Sequence, residues 1–214
     1  MPLILISLKH GRADRYQEGD PMSSEEMALI KKYKLHLKDV KTIRDAQEWT
    51  YERWGIYDEH LALADIMAWL GEEIGELFKS YLNEKYPSIW WMNREGEEGI
   101  ENEIVDVFHW CLTGVSRTGG DLEESLLKLE KIERGTSILE IQSKLQEKYG
   151  EKEFKQIIFH IGQLYGEACS SYLKGETSNL SKKLVKIVSL CLIASNLLKM
   201  NLIEVWKARP VPGK

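Results

Sequence analysis

Two stretches of the chain, GEEIGELFKSYL at 71–82 and GQLYGEACSSYL at 162–173, are identical at six of twelve positions, including both glycines and the closing Ser-Tyr-Leu. An internal repeat constrains the fold more than any single motif, because each copy is a unit whose apolar face needs a partner. With the register shifted by eleven residues, KLVKIVSLCLIASNLLKMNLIE at 183–204 aligns with EIVDVFHWCLTGVSRTGGDLEE at 103–124 and matches the Cys-Leu pairs that begin at Cys111 and Cys191. The register shift reflects an extra stretch in the first copy, EKYPSIWWMNREGEEG, that the second largely lacks. The chain therefore reads as two related helical hairpins.

Helical signals run along almost the whole sequence. Ser23 and Ser24 can cap a helix to about Leu35, and IRDAQEWTYERW gives a second that Gly55 closes. Asp58 is the expected cap of a long helix from His60 to about Tyr86, stopped by Pro87. Its stripe of Leu63, Ile66, Met67, Leu70, Ile74, Leu77, Phe78 and Tyr81 has the spacing of an amphipathic helix. A fourth helix is expected from about Glu97 to Thr118, and a fifth, capped by Asp121, to Arg134. SILEIQSKLQEKY follows the break at Gly135, then helices near 151–173 and 179–200 and a short last one through Trp206. Only the N-terminal PLILISL argues for a strand. The expected fold is all-α, with tandem hairpins forming a core like a four-helix bundle. Residues 1–41 would be an extension with a first helix, 42–135 the first hairpin half and 136–214 a degenerate second repeat that serves as scaffold.

At 214 residues and 43% hydrophobic content the chain can fill a proper core. A net charge of −5 and a pI of about 5.7 provide no overall basic field for nucleic acid or an acidic membrane surface. Cys111, Cys169 and Cys191 are odd in number, lack metal-type spacing and fall in apolar helical patterns, as expected of reduced, buried thiols in a cytoplasmic protein.

The first hairpin carries acids where the second does not. At 100° per residue, Glu73 and Glu76 lie on one side of their helix beside the core stripe, with Glu72 further toward solvent. In the partner helix the stripe is Ile100, Ile104, Val107, Phe108, Cys111 and Val115, and Glu103 and Asp106 share the opposite face. Each pair is spaced i, i+3, so an antiparallel hairpin brings four carboxylates into one cleft, where they repel. A hard divalent cation relieves that repulsion, and oxygen-only ligation suits magnesium or manganese. Glutamates on amphipathic helices are ordinarily solvated surface, but the repeat supplies an internal comparison. Opposite Glu72, Glu73, Glu103 and Asp106 stand Gln163, Leu164, Lys183 and Lys186, while glycines and packing residues persist. The shared residues read as architecture and the acids as a functional layer.

GEEIGEL, then EIVDVF with 26 residues between Glu76 and Glu103, then GDLEESLLKLEKIERG, resembles the MazG-like nucleotide pyrophosphohydrolases of the all-α NTP pyrophosphatase superfamily. Their motif is EExxE, a variable gap and ExxD, and the resemblance covers about residues 42 to 134. The tandem layout is also similar to that of the dimeric dUTPases, in which one of two hairpin halves binds metal. The resemblance implies hydrolysis of a nucleoside triphosphate to the monophosphate and pyrophosphate with magnesium, in nucleotide-pool sanitation or dUTP removal, and leaves room for a homodimer. It implies Glu73, Glu76, Glu103 and Asp106 as metal ligands and Glu72 as the outer acid. The chemistry fits these groups, since Glu73 can take a proton from an attacking water.

Lys128, Lys131 and Arg134 are the candidates for steadying phosphates, against the simpler reading of cations at a helix C-terminus. Seven tryptophans are many for this length, and a nucleobase needs a flat partner. Trp69 falls on the Glu73 side of its helix and Trp110 on the Asp106 face. Trp49 and Trp54 lie on the helix that in the family faces the base, and Trp90 and Trp91 lie where a lid can form; for each of the tryptophans core or interface packing is the simpler reading. Two other readings stay open. A di-iron bundle uses E-x-x-H pairs, but here only Asp106 and His109 form such a pair, since Glu76 is followed by Lys79. A helical adaptor would carry the acids as plain surface.

Overall fold

The computed structural model describes residues 40–58, 60–87, 99–150 and 152–208, and among them every regular element is an α-helix. In chain order these are α1 (Ile43–Asp58), α2 (Leu63–Lys85), α3 (Ile100–Arg117), α4 (Leu122–Glu130), α5 (Ile138–Tyr149), α6 (Phe154–Leu173), α7 (Thr177–Leu197) and α8 (Leu202–Ala208). The expected helix over 23–35, the N-terminal strand and the lid tryptophans Trp90 and Trp91 lie outside the described residues. No single described helix is long and apolar enough to cross a membrane.

The apolar stripes set the packing. On α2, Ile66, Met67, Leu70, Ile74 and Leu77 are buried, and Leu63, Phe78 and Tyr81 pack half-buried against the same core. On α3 the stripe widens. Val105 and Leu112 are buried along with Ile100, Ile104, Val107, Phe108, Cys111 and Val115, because α3 packs against α2 and α7, with α1 and α8 also on it. The hairpins α2–α3 and α6–α7 join through α3 on α7 and α2 on α6, giving the four-helix core that the repeat requires. Segments 42–135 and 136–214 accordingly belong to one unit, Leu37–Lys214.

One matched pair of glycines, Gly71 and Gly162, lies where the hairpins meet. A Cβ on Gly71 would lie 2.3 Å from Tyr165 Oη and 2.8 Å from its Cζ, and one on Gly162 would lie 3.0 Å from Phe78 Cε2. Each helix thus accepts a ring from the other hairpin. Tyr165 is pinned there, since its hydroxyl donates to Met67 O at 2.9 Å. Gly71→Ala must displace that ring, and although alanine favours the helix, we expect a net loss of about 1–3 kcal/mol. Gly75 and Gly166 have nothing within 4 Å among the described residues. Their alanine variants should instead gain about 0.5–1 kcal/mol from helix propensity. Urea unfolding of the three variants checks both signs. A stabilised Gly71→Ala would show that the crossing is looser than its geometry.

Polar contacts fasten the second half to the core. The Glu130 carboxylate, buried at the end of α4, accepts from Ser189 Oγ on α7 at 2.7 Å, from Lys148 Nζ on α5 at 2.9 Å and from Tyr149 Oη at 3.2 Å. A buried carboxylate with that many donors is satisfied and needs no ligand. Gln142 Nε2 donates to Ser195 Oγ at 2.7 Å, tying α5 to α7 again.

Several helix ends differ from the sequence expectation. Gly55 does not close α1, which runs through to Asp58, so Asp58 ends one helix rather than capping the next. A single glycine costs a helix only about 1 kcal/mol, which flanking turns absorb. The entry to α2 is organised by Asp65, whose Oδ2 accepts from Ala62 N at 2.8 Å. At α4 the Asp121 cap is as expected, accepting from Glu124 N at 2.9 Å, but the helix stops at Glu130 and not at Arg134. Lys131 turns left-handed there with φ 61°.

Candidate metal centre

The antiparallel α2–α3 hairpin places Glu73 across from Asp106 and Glu103, and carboxylate oxygens of all three lie within 4.8 Å of one another. Glu103 is the most enclosed, 4% exposed, with Ser80 Oγ of α2 donating to its Oε1 at 3.5 Å. Glu73 and Asp106 are half-buried. Three acids at that depth arise because the apolar stripes on both helices run beside them, so burying the stripes carries the acids part-way into the protein.

That placement raises the Glu73 carboxyl from its ordinary 4.5 to about 7, first through burial, then through the Asp106 charge, with smaller contributions from Glu76 and Glu72. The indole N–H of Trp110 opposes the shift by donating to Glu73 Oε1 at 3.2 Å. Since the folded pKa is the higher one, the folded state holds the proton more tightly than the unfolded chain. The associated stability is complete below about pH 4.5 and lost as pH rises through about 7. In chelator, the metal-free protein should therefore melt at lower temperature at pH 8 than at pH 5.5, and Glu73→Gln should flatten the difference. A melting temperature that rises over this range in the parent protein would contradict the burial of this acid.

The other expected site residues fall into three groups. Glu76 and Glu72 are exposed, outside the three-acid cluster but near enough to act on Glu73. Trp69 stacks on Trp110 with ring centroids 5.9 Å apart and planes 6° from parallel, and it keeps 46% of its surface exposed. Trp69, Trp110 and Glu73 thus form one continuous edge of the site. Lys128 and Lys131 are exposed at the end of α4, and Arg134 pairs with Glu124 at 3.6 Å rather than with any of the acids.

Of the two tryptophans on α1, Trp49 follows the packing reading and belongs to the core. It is 4% exposed and lies 4.4 Å from Trp206, so its surface serves packing. The side chain of Trp54 lies outside the described residues. His109 is also buried, against Trp110 at 5.4 Å and Trp206 at 6.4 Å, and does not belong to the cluster of ligand-competent groups. Ser80, which touches Glu103, had no sequence signal beyond its place in the repeat, where Ser171 matches it.

In the second hairpin the equivalent positions are closed by an ion pair. Lys183, at the place of Glu103, binds the Glu167 carboxylate, and Gln163 Nε2 donates to its other oxygen at 2.9 Å. These contacts hold Glu167 below the ordinary carboxylate range. The thiols expected to be buried are so at Cys111 and Cys191, with Cys169 half-buried. No protein-family model, curated protein or solved structure matches this chain.

Proposed function

We propose that the protein is a metal-dependent nucleoside triphosphate pyrophosphohydrolase whose site is the α2–α3 acidic cluster. The observation that carries this reading is the convergence of Glu73, Glu103 and Asp106 within 4.8 Å, buried or half-buried and mutually repelling, beside a partly exposed indole stack. A purely surface role leaves such acids in water, where they repel little. The donor set is carboxylate oxygen throughout, which fits magnesium or manganese, and Glu73, Glu103 and Asp106 would hold the ion with Glu76 at its margin. Bound there, a divalent ion supplies charge compensation for a polyphosphate and for the charge that builds up at phosphorus.

The chain's own residues do the rest. Trp110 fixes Glu73 through Oε1, and Oε2 is left to accept a proton from a water molecule. Attack by that water at the α-phosphorus, in line with the departing pyrophosphate, gives the monophosphate. Trp69 offers an aromatic face to the base. Lys128 and Lys131 are the nearest candidates in sequence for the leaving phosphates, with Arg134 available once it releases Glu124. The di-iron alternative draws no support from His109, which packs on tryptophans.

Incubating the protein with each common dNTP and NTP in magnesium, and following pyrophosphate, tests the reading. Stoichiometric monophosphate and pyrophosphate, abolished by chelator, are expected for at least one substrate. Release of orthophosphate alone, or no turnover of any, would overturn it.

A further inference from the structure

The donors of the acidic cluster are carboxylate oxygens throughout, a set that calcium accepts as readily as magnesium or manganese. Geometry separates these ions. Calcium tolerates a carboxylate that chelates through both oxygens, whereas magnesium demands a near-octahedral shell that the narrow bite of such a chelate spoils. The surroundings of Glu73 bear on that choice. Its Oε1 accepts the indole N–H of Trp110 at 3.2 Å, from α3 to α2. An indole has one donor and no acceptor, so this bond commits the polar capacity of Trp110 to Glu73. The ring is itself held in place. Trp69 stacks on it at 5.9 Å with planes 6° from parallel, His109 meets it edge-on at 5.4 Å, and it packs half-buried on the core. A donor pinned in this way sets the plane of the carboxylate and draws charge from the oxygen that accepts it, which disfavours chelation through both oxygens. Oε2 is the oxygen left to face an ion or a water that the ion carries.

The internal repeat provides an independent comparison. In the second hairpin Leu164 stands at the place of Glu73, Leu190 at that of Trp110 and His160 at that of Trp69. Leu164 and Leu190 are both buried. The acid, its donor and the ring that braces the donor are thus replaced together, whereas Gly71 and Ser80 keep their counterparts in Gly162 and Ser171. Trp110 therefore sorts with the acids and not with the shared architecture.

We propose that Trp110 is a positioning residue that selects the ion: by holding Glu73 through Oε1 it makes this acid a one-oxygen partner and biases the cluster toward magnesium and manganese over calcium. The inference rests on the reading of the cluster as a metal centre and needs nothing from the identity of the substrate. Trp69 serves the same end indirectly, by keeping the Trp110 ring in the plane from which its N–H reaches Glu73.

The full chain is titrated with manganese and, separately, with calcium, without nucleotide and at about pH 8, where protons compete little for the acids. Saturable manganese binding is expected in the parent protein. Trp110→Phe keeps an aromatic ring against Trp69 and removes only the N–H donor. It should bind manganese about tenfold more weakly, with calcium affinity changed by less than about threefold and circular dichroism unchanged. In the parent, the sequentially assigned indole N–H resonance of Trp110 should shift on addition of magnesium, a readout that does not depend on how the variant folds. Undiminished manganese affinity in the variant, equal losses for both ions, or an indole resonance that magnesium leaves unmoved would overturn the role of Trp110 while the metal centre stands. Absence of saturable manganese binding in the parent would overturn the metal centre itself, and the role of Trp110 with it.

Discussion

Asp106→Asn should reduce pyrophosphate release on the order of a thousandfold while leaving the protein folded and its melting temperature equal or higher. The carboxylate lies in the three-acid cluster and is the strongest neighbouring charge on Glu73, so neutralising it removes both a candidate metal donor and a source of repulsion. A ligand that exists for a cation is a burden to the empty protein, and the two effects should therefore separate. Glu73→Gln should behave in the same way. Turnover within a few-fold of the parent in both variants would remove the acids from the chemistry. A large fall in melting temperature would mean that they are structural.

Trp206→Ala should have the largest effect on stability. This indole, 1% exposed on the short α8, meets Trp49 at 4.4 Å and, edge-on, Phe108 at 5.6 Å, filling the space between α1 and α3. Truncation leaves a cavity that two rigid rings cannot collapse into, with an expected loss of about 3–5 kcal/mol. For a chain of this size that corresponds to a fall of roughly 6–20 °C in melting temperature. Because Phe108 and His109 directly follow the turn of α3 that bears Asp106, activity measured well below the new melting point should also decline. Calorimetric unfolding decides the matter, and a shift of less than about 3 °C would mean that α8 docks only loosely.

The helices, their apolar faces and the pairing of the hairpins were legible because one period governs both sequence and packing. Every residue of the α2 stripe from Leu63 to Tyr81 is buried or packs half-buried on the core, and the repeat located the glycines that admit Tyr165 and Phe78. Helix ends were less legible. Gly55 and Asp58 carry ordinary stop and cap chemistry, yet α1 continues past Gly55 and ends only at Asp58, since a local preference of about 1 kcal/mol yields to neighbouring helical turns. At the site, the i, i+3 spacing gave Glu73, Glu103 and Asp106 together. It could not separate them from Glu76, which has the same spacing but points further toward solvent. Tryptophans were the hardest to assign. Trp49 and Trp69 are alike in type, and only the arrival of Trp206 from the far end of the chain makes one core and leaves the other exposed.

Calorimetric titration of magnesium with a non-hydrolysable nucleoside triphosphate tests the division of labour between the hairpins most directly. One metal-dependent nucleotide site per chain is expected, lost in Glu73→Gln and Glu103→Gln and retained in Glu167→Gln, whose carboxylate is already held by Lys183 and Gln163. No metal-dependent site, two equivalent ones, or loss of binding on changing Glu167 would contradict the assignment of the first hairpin as the metal centre and the second as its scaffold.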